Sequence, residues 1–298
     1  MSEIKHISKA TDEIISYIDK KRKGEIRELR TRWAKINKNM PIEWNSLYTI
    51  AGISGSGKSS FANELETSLF DYNRDEDFAV LSFNYEMLSS RQVGRKLSFK
   101  TSKTVSELYS KDSQNLNDEA FEQVKQHAER IRHYDIYYKE EPCTVEEMRV
   151  LILKTYEKIG KPLIIFVDHA RLVKRGNQNE QDMISDLIMM CMQMKKQIKC
   201  SIFVLSQLNR EIEKADRTQS PQGHYPMRSD LFGSDAIFQG SDYVLVIHRP
   251  ELLSIYLYGI DKLPTKDMVY AHLIKSRDGE LKIMSFNNVL RYNRLDEI

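Results

Sequence analysis

Leu47-Tyr-Thr-Ile-Ala-Gly52-Ile-Ser54-Gly55-Ser56-Gly57-Lys58-Ser59-Ser60 joins a short β-branched run to a helical pattern that repeats Phe61, Leu65 and Leu69. The pattern G-x-x-x-x-G-K-[ST] here lies between a strand and a helix, the context that separates a phosphate-binding loop from a chance match. Its glycines let backbone N–H groups wrap a polyphosphate at a helix N-terminus, where the helix dipole favours negative charge. Gly52, Ser54, Gly55, Ser56, Gly57, Lys58, Ser59 and Ser60 are therefore expected around the phosphates of a nucleotide. Lys58 would reach the β and γ oxygens, and the Ser59 hydroxyl would ligate Mg²⁺.

Outward from this loop, apolar runs at 47–51, 78–83, 163–167, 202–205 and 243–247 alternate with helical patterns. That alternation predicts an α/β fold with a mainly parallel central sheet flanked by helices. One helix is expected to carry Phe121, Val124, Ala128 and Ile131, and another to open on Thr144 with Glu147 closing a capping box. A third sets Met183, Leu187, Met190 and Met194 on one stripe, which core packing explains better than a ligand site. Segments 269–274 and 281–286 flank Asp278-Gly279 and read as a hairpin-like pair on the sheet edge.

Ligands of open parallel sheets sit beyond the C-terminal ends of the strands, which gives weight to the polar residue that ends each run. Asp168 closes 163–167 and is expected in the Mg²⁺ shell, with a helix-capping role as the alternative. Phe83-Asn-Tyr-Glu86-Met87 places a carboxylate that can orient or deprotonate an attacking water. Ser206-Gln207 ends 202–205 with an amide able to bond the γ-phosphate. Taken singly, neither Glu86 nor Gln207 is specific, since an isolated Glu or Gln at a strand end is usually just solvated.

With 298 residues, 41% hydrophobic and 30% charged, the chain fits a globular protein and not a disordered or collagenous one. No stretch approaches the ~18 uncharged apolar residues of a spanning helix, and the start lacks a secretory h-region, so a cytoplasmic protein without a membrane partner is expected. Cys143, Cys191 and Cys200 are odd in number and lack metal-type spacing. The net charge of +2 is unevenly spread: residues 1–40 hold 11 Lys/Arg against 6 Asp/Glu, net +5, leaving −3 for the remainder. This segment 1–40 is expected to be a basic helical arm, with Ile4, Ile7, Thr11, Ile14 and Ile18 on one stripe. The stripe has to be covered by the chain's own body or by a neighbouring subunit. No linker divides 41–298, which is taken as one domain.

In this order the segments resemble the DnaB-like replicative helicases, a branch of the RecA-like hexameric motor ATPases. Phe83-Asn-Tyr-Glu86-Met87 is similar to the family's F-S-L-E-M segment, and Asp168 holds its I-D-Y position. Ser206-Gln207-Leu208-Asn209-Arg210 repeats S-Q-L-N-R, and Lys275-Ser-Arg277-Asp-Gly279 resembles K-x-R-x-G. Thr31-Arg32-Trp33 is similar to the segment that enters the P-loop strand.

The resemblance implies ATP and Mg²⁺ as cofactors, Glu86 as catalytic base, and Gln207 as γ-phosphate sensor. It also implies that Lys275 and Arg277 reach a neighbour's site in a homo-hexamer that translocates 5′ to 3′ on single-stranded DNA and unwinds duplex. Separate primase and loader proteins would be partners, and hydrolysis would occur at subunit interfaces.

Two departures stand out. Where the family has Arg-Glu-Ser-Gly or Arg-Gly-Ser-Gly after an Asp-Leu pair, this chain has Phe232-Gly233-Ser234-Asp235 after Asp230-Leu231, so an arginine is lost and an acid gained. Gly233 and Ser234 can still meet phosphates and Phe232 can stack a base, with Lys214, Arg217 and Arg228 as candidate replacements for the missing charge. Only about 40 residues precede the motor, so the helical domain of the cellular relatives is expected to be absent, as in a compact phage-type form. A RecA-type recombinase or regulatory ATPase, or a non-translocating nucleotide-switched DNA-binding assembly factor, shares enough of these features to stand as an alternative. Glu86-Met87 and Lys275-x-Arg277 favour the helicase.

Overall fold

The computed structural model describes residues 4–111, 115–277 and 279–298, with Ser234 described by its backbone alone. Asp278, placed by sequence in the turn between the last two predicted segments, lies outside the described residues. In chain order the first half holds α1 (Ile7–Arg22), α2 (Ala34–Asn39), β1 (Leu47–Gly52), α3 (Lys58–Tyr72), β2 (Ala79–Asn84), α4 (Ser89–Thr101), the single turn α5 (Val105–Leu108) and α6 (Asp118–Arg132). There follow β3 (Ile136–Lys139), α7 (Val145–Ile159), β4 (Leu163–Asp168), α8 (Glu180–Gln197), β5 (Cys200–Gln207), α9 (Ala215–Thr218), α10 (Ser234–Gly240) and β6 (Tyr243–His248). The chain closes with a small pair, β7 (Leu257–Tyr258) and β8 (Leu263–Pro264), then β9 (Met268–Ser276), β10 (Lys282–Val289) and β11 (Arg294–Glu297).

The large sheet runs β3-β2-β4-β5-β1-β6-β9-β10-β11. Strands β3 through β6 in that order pair in parallel, and β9, β10 and β11 add antiparallel. The hairpin expected at the sheet edge is therefore one strand inside it, because the chain returns after β10 to lay β11 along its outer side. The sheet matches the expected mainly parallel fold, and β3 is a strand that the sequence reading did not anticipate. Short, half-exposed and flanked by charge, it lacks the apolar run of its neighbours.

Both faces of the sheet are covered, so the central strands are apolar at every position rather than at alternate ones. Ile202 and Val204 of β5 face the helices α7, α8 and α10, while Phe203 and Leu205 face α2 and α3. Met183, Leu187, Met190 and Met194 of α8 are all buried in the first cluster, the core role their spacing suggests. Thr144 and Glu147 form the expected capping box on α7.

The second cluster begins before residue 40. Leu29, Trp33, Ile36 and Met40 are buried in it, Trp33 stacks on Phe61 at 4.6 Å, and its Nε1 donates to the Leu295 carbonyl at 2.7 Å. By contrast α1 has no buried residue, with Ile7 72% exposed, Ile14 50% and Ile18 52%, and Ile4, ahead of the helix, is 99% exposed. Among the described residues of one chain nothing covers the isoleucine stripe.

Candidate active site

The parallel register sets the site. Gly52 lies beside Gln207, and Asn84 beside Asp168, so the loops leaving β1, β2, β4 and β5 emerge together at the C-terminal edge of the sheet. They enclose a cleft of about 280 Å³ lined by Ser54, Gly55, Gly57, Lys58, Ser59, Ser60, Glu86, Arg95, Asp168, His169, Gln207, Arg249 and Leu290. The P-loop and the three strand ends picked from sequence thus converge on one cavity.

The glycines have different reasons to be there. Gly57, the residue before α3, has φ +100° and lies under Leu290, where an added Cβ would meet Cδ1 at 2.9 Å. At Gly52 an added Cβ would fall 2.4 Å from the Ile247 carbonyl oxygen and 2.5 Å from Ser56 Oγ, so a side chain would push the loop off the sheet. Ser60 also lines the cleft, and its hydroxyl donates to Asn293 Oδ1 at 3.2 Å.

Lys58 is buried with its Nζ donating to the Ile53 carbonyl at 2.8 Å. Burial lowers its pKa to about 8, against the opposing pull of Asp168 and Glu86. Asp168 is pushed up to about 6, first by burial and then by the Glu86 carboxylate, while a hydrogen bond from Ser59 works the other way. The hydroxyl and carboxylate picked as metal ligands are thus in contact. The hard oxygen donors suit a cation that keeps most of its waters.

Among the described residues, Ser56 Oγ and Arg95 Nη1 are buried without a hydrogen bond, and in native structures such atoms normally have one. Burial lowers the Arg95 pKa despite the nearby Asp168 and Glu86. A buried lysine and a half-buried arginine, both lining the cleft without a described carboxylate in salt-bridge contact, fit an anionic ligand. Glu86 stands at the mouth, its side chain 59% exposed, with its Oε2 4.0 Å from His169 Nε2.

Sequence reasoning missed Arg95, His169, Arg249 and Leu290. Arg249 was within reach of it, since it follows β6, whose C-terminal end opens on the same edge, and its Nη1 donates to the Gly55 carbonyl at 3.1 Å. Arg95 sits on α4 among other polar residues, and only the packing of α4 on α3 shows which of them faces the cleft.

The remaining predicted residues lie elsewhere. Lys275 donates to the carbonyls of Phe238 and Gln239, the last turn of α10, and Arg277 pairs with Asp242 at 2.8 Å while staying 54% exposed. Neither reaches the cleft of its own chain. Around the loop at 231–235, Gly233 takes φ +67° to start α10, and Phe232 is half-buried. The Ser234 side chain lies outside the described residues. Lys214 pairs with Glu211 at 2.6 Å, and Arg228 with Asp235 at 2.6 Å, both at the surface.

Arg217 requires a correction. Its guanidinium donates to both oxygens of the buried Asp230, at 2.7 and 2.9 Å, and to the carbonyls of Gly223 and Tyr225. An arginine with four of its five N–H donors so engaged holds the fold of 217–230 together, and its charge is already paired with a buried carboxylate.

The family model of the DnaB-like helicase C terminal domain matches residues 42–297. Among curated proteins, the chain is 28% identical over 223 residues to the replicative DNA helicase DnaB of Buchnera aphidicola, covering 72% of this chain and 45% of that one. It is 22% identical over 250 residues to the replicative DNA helicase DnaB of Helicobacter pylori, covering 83% and 49%. The chain therefore spans about half the length of the curated relatives it matches. Among solved structures, an ATPase domain solved on its own superposes with a TM-score of 0.83 at 19% identity, over 99% of this chain and all of that one. A DnaB-like replicative helicase solved for its interactions with primase gives a TM-score of 0.80 at 18% identity, over 100% of this chain and 68% of that one.

Proposed function

The chain belongs to the DnaB-like helicase C-terminal domain family, and from that premise we propose that it is an ATP-dependent replicative DNA helicase motor. The observation that carries the reading is the single cleft in which Lys58, Ser59, Glu86, Asp168 and Gln207 meet. Lys58 and Arg95 bind the phosphates, Ser59 and Asp168 hold Mg²⁺, and Gln207 bonds the γ-phosphate. Held by Ser59 and Asp168, the metal would supply charge neutralisation to a bound polyphosphate. Glu86, exposed at the cleft mouth, takes the proton of the attacking water, and most of the rate comes from positioning and charge stabilisation.

Hydrolysis takes place between subunits of a homo-hexamer. Arg277, exposed and remote from its own cleft, serves the neighbour's γ-phosphate, with Lys275 holding the strand end beside it. The bare stripe of α1 supports the same arrangement: of the basic segment 1–40, α1 acts as an arm whose apolar face docks on the adjacent subunit, whereas Leu29 to Met40 pack into the motor formed with 41–298. Single-stranded DNA passes the loop at 231–235, where Gly233 and Ser234 offer backbone donors, Phe232 a stacking face, and Lys214 and Arg228 charge. The motor works in the cytoplasm with separate primase and loader proteins. No helix among the described residues is long and apolar enough to cross a membrane.

The test is ATP-driven unwinding of a forked duplex with a 5′ tail. Strand separation that needs ATP, Mg²⁺ and the 5′ tail is the expected result. Pairing of homologous strands without unwinding would assign a recombinase instead, and ATP hydrolysis indifferent to DNA would remove the translocating motor.

A further inference from the structure

Arg171 belongs to no motif, yet it stands between the phosphate cleft and the loop at 231–235. It lies on the single 3₁₀ turn Ala170–Leu172 that follows Asp168. Its guanidinium makes three different contacts. Nε donates to Glu180 Oε1 at 2.5 Å, Nη1 donates to Gln207 Oε1 at 3.3 Å, and the guanidinium carbon lies 4.3 Å from the centroid of the Phe232 ring. Glu180, in the first turn of α8, is 17% exposed and anchors the arginine.

These contacts decide how Gln207 presents itself. Arginine has donors and no acceptor, so the amide atom facing it must be the oxygen, which leaves the NH₂ for the cleft that Gln207 lines. An amide turned the other way would set its oxygen against phosphate oxygens and repel them. The main chain makes a second link: the Phe232 N–H donates to the Gln207 carbonyl at 3.2 Å, and Leu208 bridges Leu231.

We propose that Arg171 is a positioning residue that holds the Gln207 amide with its donors toward the γ-phosphate and couples its position to Phe232. The inference rests on the reading of the cleft as an ATP site and of the Phe232 loop as a DNA contact. When a γ-phosphate draws the amide inward, Arg171 follows it or loses that bond, and in both cases the guanidinium shifts against the Phe232 ring. Nucleotide state thereby alters DNA affinity, and DNA alters nucleotide affinity by the same factor.

The experiment measures binding of a labelled oligo-dT by fluorescence anisotropy, once with ADP and once with a non-hydrolysable ATP analogue, alongside kcat and KM for ATP. Wild type, Arg171→Ala and Arg171→Lys are compared. The lysine variant keeps a cation beside Glu180, and with it the fold, but a single ammonium cannot bridge two partners while stacking flat on a ring. In wild type the two nucleotide states are expected to bind oligo-dT differently. In both variants the ratio of the two affinities collapses toward one. Their kcat falls about ten- to a hundredfold, the factor of one charge-assisted hydrogen bond, with little change in KM.

A wild-type ratio and kcat in the folded lysine variant would overturn the proposal. So would a parallel loss of kcat, KM and thermal stability with the ratio intact, which makes Arg171 merely structural. If wild type itself hydrolyses no ATP or binds oligo-dT equally in both states, the motor reading fails first, whatever Arg171 does.

Discussion

Replacing Lys58 by methionine, which keeps the unbranched stem and removes the charge, is expected to make the nucleotide-free protein slightly more stable at pH 7. The lysine is 9% exposed, and burial lowers its pKa from 10.5 to about 8. At ~1.4 kcal/mol for each tenfold change, that depression is a penalty of about 3 kcal/mol on the folded state. Opposing it is the hydrogen bond from Nζ to the Ile53 carbonyl at 2.8 Å, worth about 1.5–3 kcal/mol when the donor is charged. The balance favours methionine by about 1 kcal/mol, a rise of ~2 °C in midpoint for a chain of this size.

The pH dependence is the sharper signature. Because the folded pKa lies below the unfolded one, wild type carries the whole penalty below pH 8. Between pH 8 and 10.5 the folded lysine releases its proton while the unfolded one keeps it, so wild-type stability rises with pH and the advantage of methionine shrinks. Between pH 7 and about 9.5 the difference should move by ~2 kcal/mol and change sign. Urea denaturation of both proteins at the two pH values measures it. Added Mg·ATP should then raise the wild-type midpoint and leave that of the variant unmoved. A loss of more than about 2 kcal/mol on substitution at pH 7, or a difference that is flat with pH, would refute the view of Lys58 as a cation held unsolvated for phosphate.

Three further outcomes follow from the site. Glu86→Gln should bind Mg·ATP about as tightly as wild type, by calorimetry, while turnover falls ~10²- to 10⁴-fold, because an amide orients water but cannot take its proton. Mg·ATP affinity should be greatest between the two shifted pKa values: it weakens below about pH 6, where Asp168 takes up a proton, and above about pH 8, where free Lys58 has lost one. Titrations across that range that show a flat affinity would exclude these two groups as the binding determinants. Arg217→Ala should destabilise the protein by about 3–5 kcal/mol in chemical denaturation, since it strands the buried Asp230 charge. The salt dependence of oligo-dT binding should stay unchanged, and a reduced slope in a folded variant would return Arg217 to the DNA surface.

The P-loop, the strand ends and the helices between them were legible in the sequence because each is a local pattern. Glycine spacing, runs of β-branched residues and a capping box act over a few residues, and the parallel sheet then carries all the strand ends to one edge. That is why Lys58 and Asp168 were found before their meeting place was known, while Glu86 and Gln207, unspecific by themselves, took their expected roles from the family resemblance. Residues whose roles depend on packing between elements were not legible. Arg95 and Arg217 are both arginines among charged neighbours, yet one lines the cleft with a buried Nη1 that has no partner among the described residues, and the other is engaged by Asp230 and two carbonyls. Arg171 becomes notable only once β4, β5 and the loop before α10 lie side by side. A guanidinium's function is set by which acceptors and rings stand within about 4 Å, and those come from other segments, between 6 and 13 residues away for Arg217 and 9 and 36 residues away for the hydrogen bonds of Arg171. The stripe on α1 has the converse property. Its periodicity is complete in sequence, and the described fold of one chain leaves it exposed, because helical spacing fixes which residues share a face and not what packs on that face.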